Sequence, residues 1–229
     1  MAAPAVVPFR NIRPRFLDGL AAAEVKTIVS AARQRRYLAN SVIANQGHPA
    51  DHFFLLLAGR ARYFQITPDG RKAILVWIPP GEIFGGAALL STSSEYLVST
   101  EAVKDSSVLV WDRATIRSLI ARYPRLTDNA LLIMFDYFVF YRAAHISLTC
   151  DRASRRLAHV LANLASGIGR RVAGGIELEV RNEELANEAN VTPFTASRLL
   201  SGWQRKGILI KRRGKVLLRF PERLFLEEV

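Results

Sequence analysis

The chain has 229 residues, half of them hydrophobic, with a formal net charge of +12 and a pI near 10.5. That length allows one large domain or two modest ones, and that charge points to an anionic partner. A single cysteine, Cys150, excludes an intrachain disulfide and a cluster held by several thiolates, and fits a reducing cytoplasm. Ala2 to Phe9 lacks the charged and apolar regions of a signal peptide. The most apolar run, Leu131 to Tyr141, holds Asp136 and falls short of the ~20 residues a membrane-spanning helix needs, so no membrane partner is expected.

In chain order, a lead-in helix is predicted around Leu20 to Ala32, followed by a basic Arg-Gln-Arg-Arg segment before Tyr37. Glycines then recur at Gly47, Gly59, Gly70 and Gly81, with short β-rich runs between them at Phe53–Ala58, Ala61–Ile66 and Ala73–Ile78. Pro68-Asp69-Gly70 is a turn signal. Strands at this spacing, each bounded by Gly or Pro, predict a β-sandwich or jelly roll rather than βαβ units. Val98–Val103 and Ser107–Trp111 continue the pattern.

The interval before them, reading PGEIFGGAALL, is different. Gly85 and Gly86 leave backbone N–H groups open ahead of a short helical turn at Ala87 and Ala88, which fits an anion-binding nest. A barrel corner that needs glycines for tight packing fits the same residues.

After Trp111 the chain becomes helical. Asp112 caps a short helix that ends before Pro124, and a long helix runs from about Arg125 to Thr149. Along it, Leu131, Met134, Phe138, Tyr141, His145 and Leu148 follow spacings of three and four, a seam suited to a parallel partner helix. Ala130, Ile133, Tyr137, Phe140 and Ala144 form a second stripe one position round. Two stripes imply two contacts, one to the β domain and one to a second copy, although a single buried helix gives the same pattern. Asp151 then caps a helix through Ser166, and Ile176–Val180 reads as a short strand.

The stretch Asn182 to Ile210 organises the rest. Asn182 is a candidate N-cap, Glu183 and Glu184 suit a first turn, and Leu185, Ala186 and Ala189 give a small apolar face. Asn190 and Val191 form a turn, Thr192 caps a second helix, and Pro193 takes its first position. Leu199, Leu200 and Trp203 form that helix's apolar stripe before Gly207 stops it. Two short helices joined this way match a helix-turn-helix, whose second helix enters the DNA major groove.

The opposite face carries Phe194, Thr195, Ser197, Arg198 and Arg205. Arg198 is the candidate base reader, since guanidinium pairs bidentately with guanine O6 and N7. Thr195 and Ser197 suit phosphates or base edges, and Phe194 a thymine methyl. Lys211, Arg212, Arg213 and Lys215 surround Gly214 in a basic hairpin that reads as a wing along a phosphate backbone. Residues 151–229 hold 15 Lys/Arg against 9 Asp/Glu, half the net charge in about a third of the chain. A solvated charged helix and an ordinary surface hairpin are the bland alternative.

The order of roll, long helix and winged helix-turn-helix resembles the CRP/FNR family of bacterial transcription regulators. The resemblance spans roughly Val42 to Phe220. Its carriers are QGHPADHFFLLLAGRARYF with PDGRKAILVWIPPGEIFGG, and LANEANVTPFTASRLLSGWQRKGIL. It implies an α+β fold: a β-jelly-roll over 1–123, a dimerisation helix over 124–149 and a DNA-binding unit over 150–229. It further implies a homodimer on palindromic promoter DNA, with a possible polymerase contact. Cyclic-AMP-binding members place a Glu where this chain has Gly86, and an Arg-Ser pair that falls here on Tyr96 and Leu97. An anionic phosphate without its Arg loses a charge-assisted pair, so control by cyclic AMP in the usual way is not expected.

Gas-sensing relatives carry haem, but His48, His52, His145 and His159 show no pairing motif, and Cys150 beside Asp151 is a poor thiolate. No cofactor or metal is expected; an effector of another kind would bind around Gly85, Gly86, Ala87, Ala88, Tyr96 and Leu97. In the DNA reader, Phe194 stands where many relatives have Glu and Pro193 where some have Arg, whereas Ser197-Arg198 matches the FNR-like branch. Two rivals remain: a constitutive DNA-binding regulator whose roll is only structural, and a cupin-like enzyme, for which the chain lacks the His and carboxylate spacing.

Overall fold

The computed structural model describes residues 12–70 and 72–226, so the reading of Ala2–Phe9 lies outside the described residues. The chain divides into two compact units, residues 1–138 and 139–229.

The first unit is built on an antiparallel sheet of six strands: β1 (Arg33–Tyr37), β2 (Val42–Ala44), β3 (His52–Ile66), β4 (Lys72–Ile78), β5 (Ile83–Phe84) and β6 (Ser99–Asp112). Its order is β1-β6-β3-β4, with β2 also paired to β6 and β5 to β3. The runs expected as separate strands at Phe53–Ala58 and Ala61–Ile66 are one strand, β3, and those at Val98–Val103 and Ser107–Trp111 are one strand, β6. Gly59 bends the pair without breaking it. The β3–β6 register shifts around Ala58 and Arg60, and Gly59 has φ 93°. A Cβ there would lie 2.3 Å from Ser106 Oγ, so only glycine fits this bulge. The basic Arg33–Tyr37 segment, unassigned from sequence, is edge strand β1 along β6.

Alternation along β3 feeds two cores. Phe53, Leu55 and Leu57 face a cluster with α1 (Ala22–Ser30), α2 (Arg113–Arg122) and the start of α3 (Arg125–Cys150). Phe54, Leu56 and Ala61 face the roll interior with Ile78, Phe84 and Tyr96. Three hydrogen bonds from two side chains fasten the helical layer. Trp111 Nε1 donates to the Ile28 carbonyl at 2.8 Å, and buried Asn129 donates to the carbonyls of Phe16 and Asp18 at 2.9 Å each. As predicted, Asp112 caps α2, accepting from Thr115 N–H at 2.8 Å.

Helix α3 has 26 residues, longer than the apolar run read from sequence, and is long and apolar enough to cross a membrane by length and composition. Its two stripes part company. Ala130 and Ile133 are buried and Tyr137, Phe140 and Ala144 partly so, whereas Leu131, Met134, Phe138, Tyr141, His145 and Leu148 are all exposed.

The second unit contains α4 (Ala153–Gly167), α5 (Asn182–Glu188), α6 (Pro193–Arg205) and a sheet ordered β7-β8-β10-β9 from β7 (Arg170–Val172), β8 (Gly175–Leu178), β9 (Leu209–Arg212) and β10 (Lys215–Leu218). Strand β7, masked in the sequence by its arginines, turns into β8 through Gly174 and Gly175. A Cβ on Gly175 would lie 2.0 Å from the Leu218 carbonyl oxygen. Asp151 does not cap α4, whose cap position is Arg152. The Asp151 carboxylate is taken by the Ser147 hydroxyl at 2.6 Å instead, back towards α3.

Candidate functional site

The helix-turn-helix is set by small side chains and a left-handed turn. Leu185, Ala186 and Ala189 are at most 1 % exposed, which lets α6 approach α5 closely. Asn190 adopts φ 49°, and the Val191 N–H closes the turn on the Ala186 carbonyl. Thr192 Oγ1 caps α6 by accepting from Thr195 N–H, with Pro193 at the first position, as the spacing predicts. Asn182 has a different role from the one expected. The cap position of α5 is Arg181, whose N–H donates to Glu184, while Asn182 is the first helical residue and its amide donates to the Pro193 carbonyl at 2.9 Å. It ties the two helices together.

Helix α6 separates its faces cleanly. Ala196, Leu199, Leu200 and Trp203 are buried, whereas Thr192, Pro193, Phe194 (78 % exposed), Arg198 and Arg205 face solvent and Thr195 and Ser197 are partly exposed. Arg198 and Arg205 have no hydrogen-bond or ion-pair partner among the described residues. The cations of the β9–β10 hairpin divide into two pairs. Arg212 and Arg213 stand exposed at its tip, next to Gly214 at φ 68°. Lys211 instead turns onto α6, its ammonium donating to Ser201 Oγ at 3.1 Å and to Ser197 Oγ at 3.4 Å, while Gln204 Oε1 accepts its N–H. Lys215 lies against Glu177 (3.3 Å) and Glu179 (3.4 Å). Arg170 first, then Lys215, hold the Glu177 carboxyl below its usual range. Lys211 and Lys215 therefore brace the hairpin, and its two arginines have no partner among the described residues.

Of the residues expected around an effector, Gly85 and Tyr96 both abut His52 and Phe54 and Ala87 packs on the same cluster, whereas Ala88 joins the other core and Leu97 faces solvent. Gly85, at φ 76°, is required by packing, since a Cβ would lie 2.8 Å from the His52 carbonyl oxygen and 2.9 Å from the Phe54 ring. Gly86 is not, because a Cβ there meets nothing within 4 Å. It opens a 3-10 turn of four residues, too short for a helix-terminus anion site. Ala87 packs on the roll interior and Ala88 on the opposite core. Tyr96 points inward at 9 % exposure; its hydroxyl donates to the His52 carbonyl at 2.8 Å and accepts the His52 N–H at 3.0 Å. Leu97 points outward at 80 % exposure. Among the described residues no group of three His, Cys, Asp or Glu is placed to hold a metal ion.

Comparison with known proteins agrees with this architecture. Residues 34–123 match the cyclic nucleotide-binding domain family, and residues 155–225 match the Crp-like helix-turn-helix domain family. The cyclic AMP receptor protein of Thermus thermophilus is 29 % identical over 93 % of this chain and 95 % of its own length. The chain belongs to the CRP/FNR family of transcription regulators. Among solved structures, FixK2 from Bradyrhizobium japonicum superposes with a TM-score of 0.74 at 22 % identity, covering 86 % of this chain and 98 % of that one. The Thermus thermophilus catabolite activator protein gives 0.54 at 27 % identity over 92 % and 96 %.

Sequence reasoning missed the braces of this family member. Arg156 donates from Nε to the Ala189 carbonyl, and from its two terminal nitrogens to the carbonyls of Asp151 and Asn190. Because the acceptors are main-chain oxygens, two of them more than thirty residues away, no side-chain pattern in the sequence marks the contact.

Proposed function

We propose that this regulator works as a cytoplasmic homodimer that reads a palindromic promoter site through α6. Two copies would place their α6 helices in major grooves about one helical turn apart, ~34–36 Å. The observation that carries the reading is Arg198, exposed and without a partner among the described residues, on the face of α6 opposite its buried stripe. A guanidinium that closes no internal contact is available to guanine O6 and N7. Phe194 meets a thymine methyl, and Thr192, Pro193 and Thr195 lie along the same edge. Ser197, already accepting from Lys211, keeps its own proton for an acceptor on DNA. Arg205, Arg212 and Arg213 supply phosphate contacts that set affinity and salt dependence without reading sequence.

The exposed seam of α3 is the dimer contact. A bilayer is the wrong partner for this helix: its first turns are buried on the roll, Asn129 is spent on carbonyls, and Asp136 pairs with Arg15. Arg142 lies among the exposed apolar residues, where hydrocarbon would strand its charge.

Cyclic AMP does not control this protein in the manner of relatives that carry the Glu and Arg-Ser set. Gly86 offers no carboxylate, Tyr96 spends its hydroxyl on His52, and Leu97 faces solvent. The same observations favour a second reading, a constitutive regulator whose roll is structural and available to polymerase. Neither reading involves catalysis. The test is anisotropy on a duplex selected by the protein from a randomised pool and on its scrambled counterpart, with and without cyclic AMP. Preference for the selected duplex without additive is the expected result. Preference only with cyclic AMP overturns the effector reading, and no preference under any condition overturns the reading of α6.

A further inference from the structure

The second unit contains one side chain that joins the end of α3 to the turn in front of α6. Helix α5 has seven residues and, like any helix, leaves its last carbonyls without intrahelical partners. Arg156, from the first turns of α4, holds the two carbonyls just past its end: Nε reaches the Ala189 carbonyl at 2.9 Å and a terminal nitrogen reaches the Asn190 carbonyl at 3.1 Å. A cation at this helix end is also favoured by the helix dipole. Asn190 is the left-handed residue of the turn, three residues ahead of Pro193, where α6 begins.

The other terminal nitrogen donates to the Asp151 carbonyl at 2.8 Å. Asp151 follows directly on Cys150, the last residue of α3. Its own carboxylate accepts from Ser147 in the last turn of α3 and faces Arg155 at 3.5 Å and His159 at 3.6 Å in α4. A planar fork with five donors can hold three carbonyls on two separate segments at once, which a lysine ammonium cannot do with the same geometry.

We propose that Arg156 is a positioning residue for DNA reading: by clamping the carbonyls of Asp151, Ala189 and Asn190 together, it fixes the angle at which α6 leaves the end of α3. This rests on the reading of α6 as the DNA-contacting helix. A dimer needs that angle, because both recognition helices must arrive in register on one palindrome. Sequence-independent attraction to phosphate does not depend on it.

The experiment uses the full chain carrying Arg156→Met, Arg156→Lys or, as a control, Arg198→Ala. The probes are the duplex selected by the unaltered protein and its scrambled counterpart. The readouts are the ratio of the two dissociation constants, the salt slope of each, and hydrogen exchange of amides 186–195. Arg156→Met should lower the ratio by about tenfold, the scale of losing hydrogen bonds from a charged group. The slope on the scrambled duplex should stay unchanged and exchange in the turn should quicken. Arg156→Lys should fall between, and it carries the test alone should the Met variant fail to fold. An unchanged ratio overturns the proposal. So does equal weakening on both duplexes with the slope reduced by about one, which marks a phosphate contact instead. If Arg198→Ala keeps the full ratio while the Arg156 variants still quicken exchange in the turn, the reading of α6 has failed and not the clamp.

Discussion

The cations around Glu101 in the roll and those on the α6 and hairpin edge of the second unit are treated in opposite ways. In the roll, Glu101 is 4 % exposed and accepts from both Arg62 (2.7 Å) and Lys72 (2.6 Å). Arg113 and Arg117 each donate from a terminal nitrogen to carbonyls of residues 90–92, and Arg15 closes on Asp136. In the C-terminal unit, Arg198, Arg205, Arg212 and Arg213 close on nothing among the described residues. A cation satisfied inside its own domain rigidifies that domain. A cation left in water can exchange it for a phosphate or a base edge at little cost. The contrast separates side chains that hold a unit together from side chains open to DNA more directly than the net charge does.

The largest effect that would test this separation is removal of a core tryptophan. Trp111 and Trp203 are both fully buried, one in each unit. Trp203→Ala should cost about 3–5 kcal/mol and abolish DNA binding, while the roll keeps its own unfolding transition in calorimetry. A single merged transition that moves as a whole would mean the units are not independent. The phenylalanine variants sharpen the point. Trp111 donates to Ile28, whereas Trp203 Nε1 is buried with no partner among the described residues. Trp111→Phe should therefore cost more than Trp203→Phe, by roughly 1 kcal/mol.

Next in size is Arg198→Ala, which should reduce discrimination between selected and scrambled duplexes by ~1–3 kcal/mol while leaving the scrambled affinity nearly unchanged. Arg212→Ala should do the reverse. It should weaken both duplexes alike, by less, and flatten the salt slope by about one. If the two variants behave identically, the division between reading and phosphate contact is wrong.

How much of this was legible in the sequence follows from how local each interaction is. The cap at Thr192, the proline start, the Asn190 turn and the apolar stripe of α6 are written within a few residues of one another, and the structure has them as spaced. So is the two-stripe pattern of α3. The continuity of β3 and β6 was not legible, because Gly59 serves a bulge and a strand break equally well until its neighbour Ser106 is in place. Asp151 and Asn182 both precede or open a helix and look like caps. Each is claimed by a partner outside that helix, Ser147 in one case and the Pro193 carbonyl in the other. Tyr96 and Leu97 are adjacent, so a position count cannot tell which of them enters the roll. The hydroxyl of Tyr96 is held inside on His52, and the chain bends at Leu97, which faces out.

The smallest predicted effect distinguishes closed from open charges by the variable they answer to. Burial alone would push the Glu101 carboxyl up, but hydrogen bonds from Lys72 and Arg62 outweigh it and hold it below the ordinary carboxylate range. A carboxyl depressed on folding contributes its full stability above the unfolded-state value. It loses that contribution as the pH falls through the folded-state value. Glu101→Gln should therefore lower the unfolding temperature of the roll most near neutral pH, with the gap from the unaltered protein narrowing below about pH 4. A gap constant across the acid range would mean packing, and not the Lys72–Glu101–Arg62 triad, is what the substitution removes. DNA binding by the exposed arginines of the second unit should be indifferent to this change and respond to salt instead.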